Sequence, residues 1–206
     1  DTGSERGVRW KNFSIRFLFA AESFSEKWRE HLHKMAGIGA DVFGSLNIYG
    51  TADALIISHE TPLSIFIRNE ITKNKRLHQK FFGNDFRMPT FAQYNPTIRY
   101  LEELSGSKLI FSSASGIPLV RYDIGDTGNI FQYNDIRRIF TEENIALFKA
   151  GTRSGAPEQK IQLGWNLPFV TIYGRNLMTA SFYGLKIYPE HVRSTLEGDA
   201  ERYTTG

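Results

Sequence analysis

Apolar and polar residues alternate through Phe13-Ser14-Ile15-Arg16-Phe17, and the chain then runs apolar through Leu18-Phe19-Ala20-Ala21. That pattern predicts a strand ending inside a covered sheet. Directly after it, Ser23-Phe24-Ser25-Glu26 reads as a capping box, Trp28, Leu32 and Met35 recur at helical spacing, and Gly37 is placed for a left-handed C-cap. Ser45-Leu46-Asn47-Ile48-Tyr49 reads as a second buried strand, interrupted by a loop at Gly50-Thr51-Ala52-Asp53. Strand, helix and strand in this order predict a parallel crossover.

Thr61-Pro62 starts a helix, with threonine as N-cap and proline in the first helical position, running through Ile67 and Ile71 towards Leu77. From Phe86 to Phe131 the punctuation by glycine, proline and asparagine becomes frequent. Ile98 to Leu104 and Lys108 to Ser112 flank Ser105-Gly106-Ser107 as a hairpin, so this stretch reads as antiparallel. Leu163 to Tyr173 predicts a further strand, and Tyr188-Pro189-Glu190 opens a short helix through Val192 and Leu196. The fold class expected is therefore α/β: a parallel sheet with flanking helices, then an antiparallel β-rich part. No internal repeat or low-complexity tract is present.

Composition removes several classes. With 206 residues, 41% hydrophobic and 23% charged, the chain is neither disordered nor collagen-like, and it is long enough for one sizeable core or one domain plus part of a second. It has no cysteine, hence no disulfide framework, thiolate metal site or thiol nucleophile, and the expected compartment is the cytoplasm. No apolar run approaches the roughly 18 to 20 residues that span a bilayer. Lys and Arg total 25 against 22 Asp and Glu, a net charge of +3 that suits anionic ligands without demanding nucleic acid. Arg68, Lys73, Lys75, Arg76, His78, Lys80 and Arg87 form the densest basic stretch. A solvated face accounts for it more simply than a nucleic-acid module does.

Candidate chemistry is sparse. His31 and His33 are two apart on a predicted helix and point in different directions, which rules out joint metal chelation from that helix. His59 lies near the Asp53 loop, where a surface histidine is the plainer reading, and His78 and His191 carry no signal. No nucleophile elbow, dinucleotide fingerprint or Walker-type phosphate loop occurs. Three polar loops do stand where buried strands are expected to end: Asn47 to Asp53, Val120-Arg121-Tyr122-Asp123-Ile124-Gly125-Asp126, and Tyr173-Gly174-Arg175. Strand ends are where α/β proteins bind ligands, and glycine there lets a backbone approach closely.

In order and spacing, these loops resemble the adenylate-forming superfamily of acyl-CoA synthetases, aryl acid ligases and peptide-synthetase adenylation domains, with the closest look to its phenylacetate-CoA ligase and coenzyme F390 synthetase branch. Phe17 to Glu22 is similar to an apolar strand running into Gly-Ala/Gly-Glu. Tyr49-Gly50-x-x-Asp53 is similar to Tyr-Gly-x-Thr-Glu. Gly116-Ile117-Pro118-Leu119-Val120-Arg121-Tyr122-Asp123-Ile124-Gly125-Asp126 resembles Pro-Leu-Ile-Arg-Tyr-x-Thr-Gly-Asp, the most specific match. Gly174-Arg175, Gly184-Leu185-Lys186-Ile187 and Pro189 keep the spacing of Gly-Arg-x-Asp-x9-Pro. The resemblance covers roughly residues 13–196.

It implies an adenylate-forming-enzyme-like fold and a set of roles. Tyr49 would stack on adenine, with Glu22, Gly50 and Thr51 in the same nucleotide site. Asp126 would accept both ribose hydroxyls, and Arg175 would reach ribose or phosphate with its planar fork. Asp53, in the slot usually held by glutamate, would help hold Mg2+ against the phosphates of ATP, and Lys186 with Gly184 would line the acyl-acceptor side. The implied reaction is activation of a carboxylic acid, aryl or acyl, as an acyl-adenylate, with transfer to CoA or a carrier protein. The resemblance further implies residues 1–173 as the later part of a large nucleotide- and acid-binding domain, and 174–206 as the hinge and opening of a small one.

Departures from the family pattern bear on activity. Ala52 stands where the family has threonine, with Thr51 as a neighbouring hydroxyl, and Leu177 replaces the acidic hinge residue. The glycine-rich phosphate loop and the small-domain lysine are absent, so the expectation is a fragment. A degenerate relative that binds acid or nucleotide without turnover is the alternative.

Overall fold

A computed structural model describes residues 2–20, 23–39, 41, 44–114, 116–146, 165–175, 180–182, 185–187, 192 and 195–196. A short helix α1 (Thr2–Glu5) and a 3-10 turn (Trp10–Asn12) precede β1 (Phe17–Ala20). Helix α2 (Glu26–Ala36) follows, and Gly37 ends it in the left-handed conformation, φ 70°, as its position predicts. The start differs from the expected capping box. Ser25, not Ser23, is the N-cap and accepts the Trp28 N–H at 3.2 Å, which leaves Glu26 to turn inward.

Next come β2 (Ser45–Thr51), β3 (Leu55–His59), α3 (Pro62–Lys73), α4 (Lys75–Phe82) and β4 (Thr90–Gln93). The strand β1 pairs with β2 in parallel, Phe17 opposite Ser45, so the predicted crossover is present. The residues expected as a loop after Tyr49 instead continue β2 to Thr51 and close a hairpin onto β3, whose strand character the sequence reading passed over. Gly50 is required there, because a Cβ would run into the Leu55 carbonyl. Thr61 caps α3 reciprocally with Ser64, with Pro62 in the first turn, as expected. The helix does not run through to Leu77. Asn74 takes an extended conformation, ends α3, and accepts the Arg76 and Leu77 N–H groups at 3.0 and 3.1 Å to start α4.

The antiparallel region is β5 (Arg99–Leu104), β6 (Lys108–Ser113) and β7 (Leu119–Thr127), followed by β8 (Ile130–Phe131), α5 (Tyr133–Glu142), β9 (Phe169–Ile172), β10 (Gly174–Arg175), β11 (Ala180–Phe182) and β12 (Leu185–Ile187). The predicted hairpin of β5 and β6 is formed, Leu104 opposite Lys108. Residues 120–126, expected as a loop, form most of β7, and α5 was not foreseen at all. Val192, Thr195 and Leu196 are helical, in line with the short helix expected there, while Tyr188-Pro189-Glu190 lies outside the described residues.

One sheet has the order β1-β2-β3-β4-β9-β8. Only β1 and β2 run parallel in it; β2–β3, β3–β4, β4–β9 and β9–β8 are antiparallel. The expected parallel sheet is thus a mixed one, because hairpins rather than crossovers connect most of its strands. A second sheet holds β5, β6 and β7 with the short β10 at its edge, and β11 and β12 pair separately. Both faces of the central strands are covered, and β4 and β9 are buried at every residue. Phe91 and Phe169 pack among Leu63, Ile67, Leu77 and Phe140 of the helices, while their neighbours Ala92 and Val170 pack against Leu101, Leu109 and Phe111 of the second sheet. The period of two along a strand supplies two cores from one sequence. Among the described residues no helix is long and apolar enough to cross a membrane.

Candidate functional site

The end of β2 and the end of β7, far apart in sequence, meet where the two sheets come together. The Tyr49 hydroxyl donates to Asp126 Oδ2 at 2.9 Å. Asp126 is 8% exposed and lies in a strand rather than a loop. Strand β10 lies antiparallel to β7, with Arg175 opposite Asp126 and Gly174 opposite Thr127. Tyr173 N donates to the Thr127 carbonyl at 2.8 Å and Thr127 Oγ1 to the Gly174 carbonyl at 3.3 Å, and Gly174 takes φ 82°, which favours glycine at this bend. The three motifs that the sequence separates therefore adjoin.

Asp53 sits at the tip of the β2–β3 hairpin. Its Oδ2 accepts from the Tyr122 hydroxyl of β7 at 3.4 Å, and the Tyr122 ring packs edge-on against Phe111. Thr51 Oγ1 accepts the Ala54 N–H at 3.0 Å and closes the turn. From β5, Arg99 Nη2 donates to the Ala54 carbonyl at 3.1 Å. The neighbouring Asp123 is directed elsewhere: Lys108 Nζ reaches it at 2.8 Å and holds its carboxyl below the usual range.

Of the residues expected in the site, Tyr49, Gly50, Thr51, Asp53 and Asp126 are brought together, and the backbone of Arg175 lies beside Asp126. Lys186 belongs to β12, opposite Ser181, and its side chain lies outside the described residues, as do Glu22, Leu177 and Gly184. Tyr122 has no role in the sequence reading; an aromatic hydroxyl inside the predicted ligand loop 120–126 was the available signal. Arg99 carried none, since its contact to Ala54 spans 45 residues of sequence.

Carboxylates on an exposed turn suit a hard cation. Mg2+ is commonly held by one or two carboxylates plus substrate phosphates and water, so exposed Asp53, whose carboxylate meets only a phenol hydroxyl among the described contacts, fits a metal arriving with its nucleotide. Among the described residues no group of three His, Asp or Glu could hold a metal unaided.

The basic stretch does not present a common face. Arg68 is 2% exposed and bonds Glu26, the Pro89 carbonyl at 3.0 Å and the Phe24 carbonyl at 2.6 Å. Arg87 pairs with Asp85 at 2.7 Å and lies over the Tyr173 ring at 4.3 Å, while Lys80 and Arg76 reach Glu143. Burial pushes the Tyr173 phenol well above its ordinary pKa, so it stays neutral beneath that guanidinium. His59 is half-buried at the end of β3 rather than a plain surface residue, and its Nδ1 lies 2.8 Å from the Glu60 carbonyl. The chain matches no protein-family model and no curated protein.

Proposed function

We propose that this chain is the nucleotide-handling part of an ATP-dependent ligase that activates an aryl or acyl carboxylic acid as its adenylate and passes the acyl group to CoA or a carrier protein. The observation that carries this reading is the 2.9 Å contact between Tyr49 and Asp126. An adenine and its ribose are covalent neighbours, so residues assigned to each must lie side by side, and these two do so across 77 positions of sequence. The adenylate-forming-like fold rests on the same motif order together with a mixed α/β architecture.

In this reading the Tyr49 ring supplies a flat apolar platform and Asp126 an acceptor-only carboxylate for ribose. Arg175 contributes a fork suited to ribose or phosphate. Asp53 would hold Mg2+, which supplies neutralisation of the phosphate charge when bound. A substrate carboxylate oxygen attacks the α-phosphorus of ATP, the bond to the bridging oxygen breaks, and pyrophosphate leaves. A thiol then attacks the acyl carbon and AMP leaves, with Lys186 on the acceptor side. The chain's residues bind and orient; none needs to be a nucleophile.

The non-catalytic alternative draws on one contact: the Thr51 hydroxyl is engaged in its own turn, and exposed Ala52 offers no other. Calorimetric titration with ATP and Mg2+ across a panel of aryl and acyl carboxylates, with pyrophosphate assayed in parallel, separates the two. Carboxylate-dependent pyrophosphate release is expected from the ligase, binding of nucleotide or acid without it from the degenerate relative, and absence of heat from nucleotide and from every acid would overturn both.

A further inference from the structure

The hairpin tip that carries Asp53 is conformationally expensive. Leu55 takes φ 57°, a left-handed conformation that leucine rarely adopts, and its side chain is 68% exposed, so packing of Leu55 does not explain it. Within the hairpin the Thr51 hydroxyl accepts the Ala54 N–H at 3.0 Å, and a second hold comes from outside it. Ala54 is buried against the second sheet, and its carbonyl receives Arg99 Nη2 at 3.1 Å, while Nη1 of the same guanidinium reaches the Ile98 carbonyl at 3.1 Å. The third guanidinium nitrogen, Nε, is buried with no partner. Of these two bonds, only the one from Nη2 leaves the β5 segment, so that bond ties the hairpin tip to the second sheet.

We propose that Arg99 is the positioning residue for Asp53: by holding the Ala54 carbonyl it fixes the strained turn that presents the Asp53 carboxylate to a magnesium-bound nucleotide. This rests on the nucleotide reading above. Arg99 touches neither nucleotide nor metal and acts through one backbone carbonyl, so it governs only the part of the affinity that depends on the metal.

The test compares ATP affinity with Mg2+ and with EDTA, and AMP affinity in EDTA, for the wild-type chain, Arg99→Met, Arg99→Lys, Asp53→Asn and the double variant Arg99→Met/Asp53→Asn. The wild type should gain affinity for ATP on adding Mg2+. Arg99→Met, which keeps the apolar stem, should lose roughly tenfold to a hundredfold of that gain with AMP affinity unchanged. Arg99→Lys, which still reaches the carbonyl, should recover most of it. The loss in Arg99→Met should not add to that in Asp53→Asn, and the amides of residues 53–55 should exchange faster in Arg99→Met. A magnesium gain that survives in Arg99→Met, or an equal loss of AMP affinity, overturns the role of Arg99 alone. No magnesium gain in the wild type overturns the nucleotide reading with it.

Discussion

Strand β2 begins in one cluster of polar side chains and ends in another, and the contacts of the carboxylates differ between the two. At its start, Arg29 donates to both Glu60 oxygens at 2.7 and 2.8 Å and to Ser45 Oγ at 3.0 Å, and Arg68 bonds Glu26, with all four ionic side chains buried. Burial alone would pull the Arg29 guanidinium down, but Glu60 and Glu26 outweigh it and hold its pKa above the ordinary value. At the strand's other end, Asp126 and Asp53 meet the phenol hydroxyls of Tyr49 and Tyr122. A guanidinium cancels a carboxylate's charge, whereas a phenol takes one lone pair and leaves the charge in place. The first arrangement locks α2 and α3 to the sheet; the second joins two strand ends through hydroxyl-to-carboxylate bonds, with Asp53 exposed at the hairpin tip.

The sharpest way to break this contrast is to unpair the lock. Glu60→Ala leaves two buried guanidinium groups, Arg29 and Arg68, sharing the single carboxylate of Glu26 and removes the acceptor of the Asn47 N–H, so urea denaturation should show a loss of about 3–5 kcal/mol. A midpoint at the wild-type value would mean that these buried charges do not hold the fold.

At the other end, Asp126→Asn keeps an acceptor for Tyr49 but removes the charge. Calorimetry should show nucleotide affinity weaker by ~1.5–3 kcal/mol, with the urea midpoint nearly unchanged. Alanine is the poorer probe, since Asp126 is a buried strand residue whose truncation also orphans the Tyr49 contact. An unaltered affinity would place Asp126 outside the nucleotide site.

The smallest effect is a pH dependence. His33 Nε2 lies 2.8 Å from Ser45 Oγ, which also receives Arg29, so the imidazole acts there as an acceptor from the hydroxyl. Burial lowers its pKa below the ordinary 6.5, helped by the Arg29 charge and opposed by the Gly39 backbone contact, Asp41 and Glu26. The unfolded chain then binds the extra proton, so stability from this group is complete above about pH 6.5 and is lost as pH falls through the lower folded value. Melting temperatures across that window should fall less steeply on acidification in His33→Gln than in the wild type. Equal slopes would assign the acid sensitivity elsewhere.

How far the sequence could be read depended on the range of the signal. The Gly37 and Thr61-Pro62 signals and the Ser105-Gly106-Ser107 turn are local, and each acts where it was expected. The Asn74 break was less visible, because asparagine is tolerated within a helix and only its side chain's bond to the following amides reveals a cap. The loop assigned to residues 120–126 failed for another reason: Arg121, Asp123 and Gly125 look like loop residues, yet they lie on the solvent side of an antiparallel strand that needs burial on one face only. Helix α5, passed over on reading the sequence, buries only Ile136 and Phe140 fully.

The order of motifs, the lack of cysteine and the β1–α2–β2 crossover were set by the sequence itself, since each depends on residue type at short spacing. The tertiary structure alone decided that most of the sheet runs antiparallel, that Arg68 turns inward to Glu26, and that Tyr49 lies on Asp126 and Arg99 under the Asp53 turn. Contacts across 40 to 80 residues arise from how sheets stack and register, and no local pattern encodes which of many polar side chains will face one another.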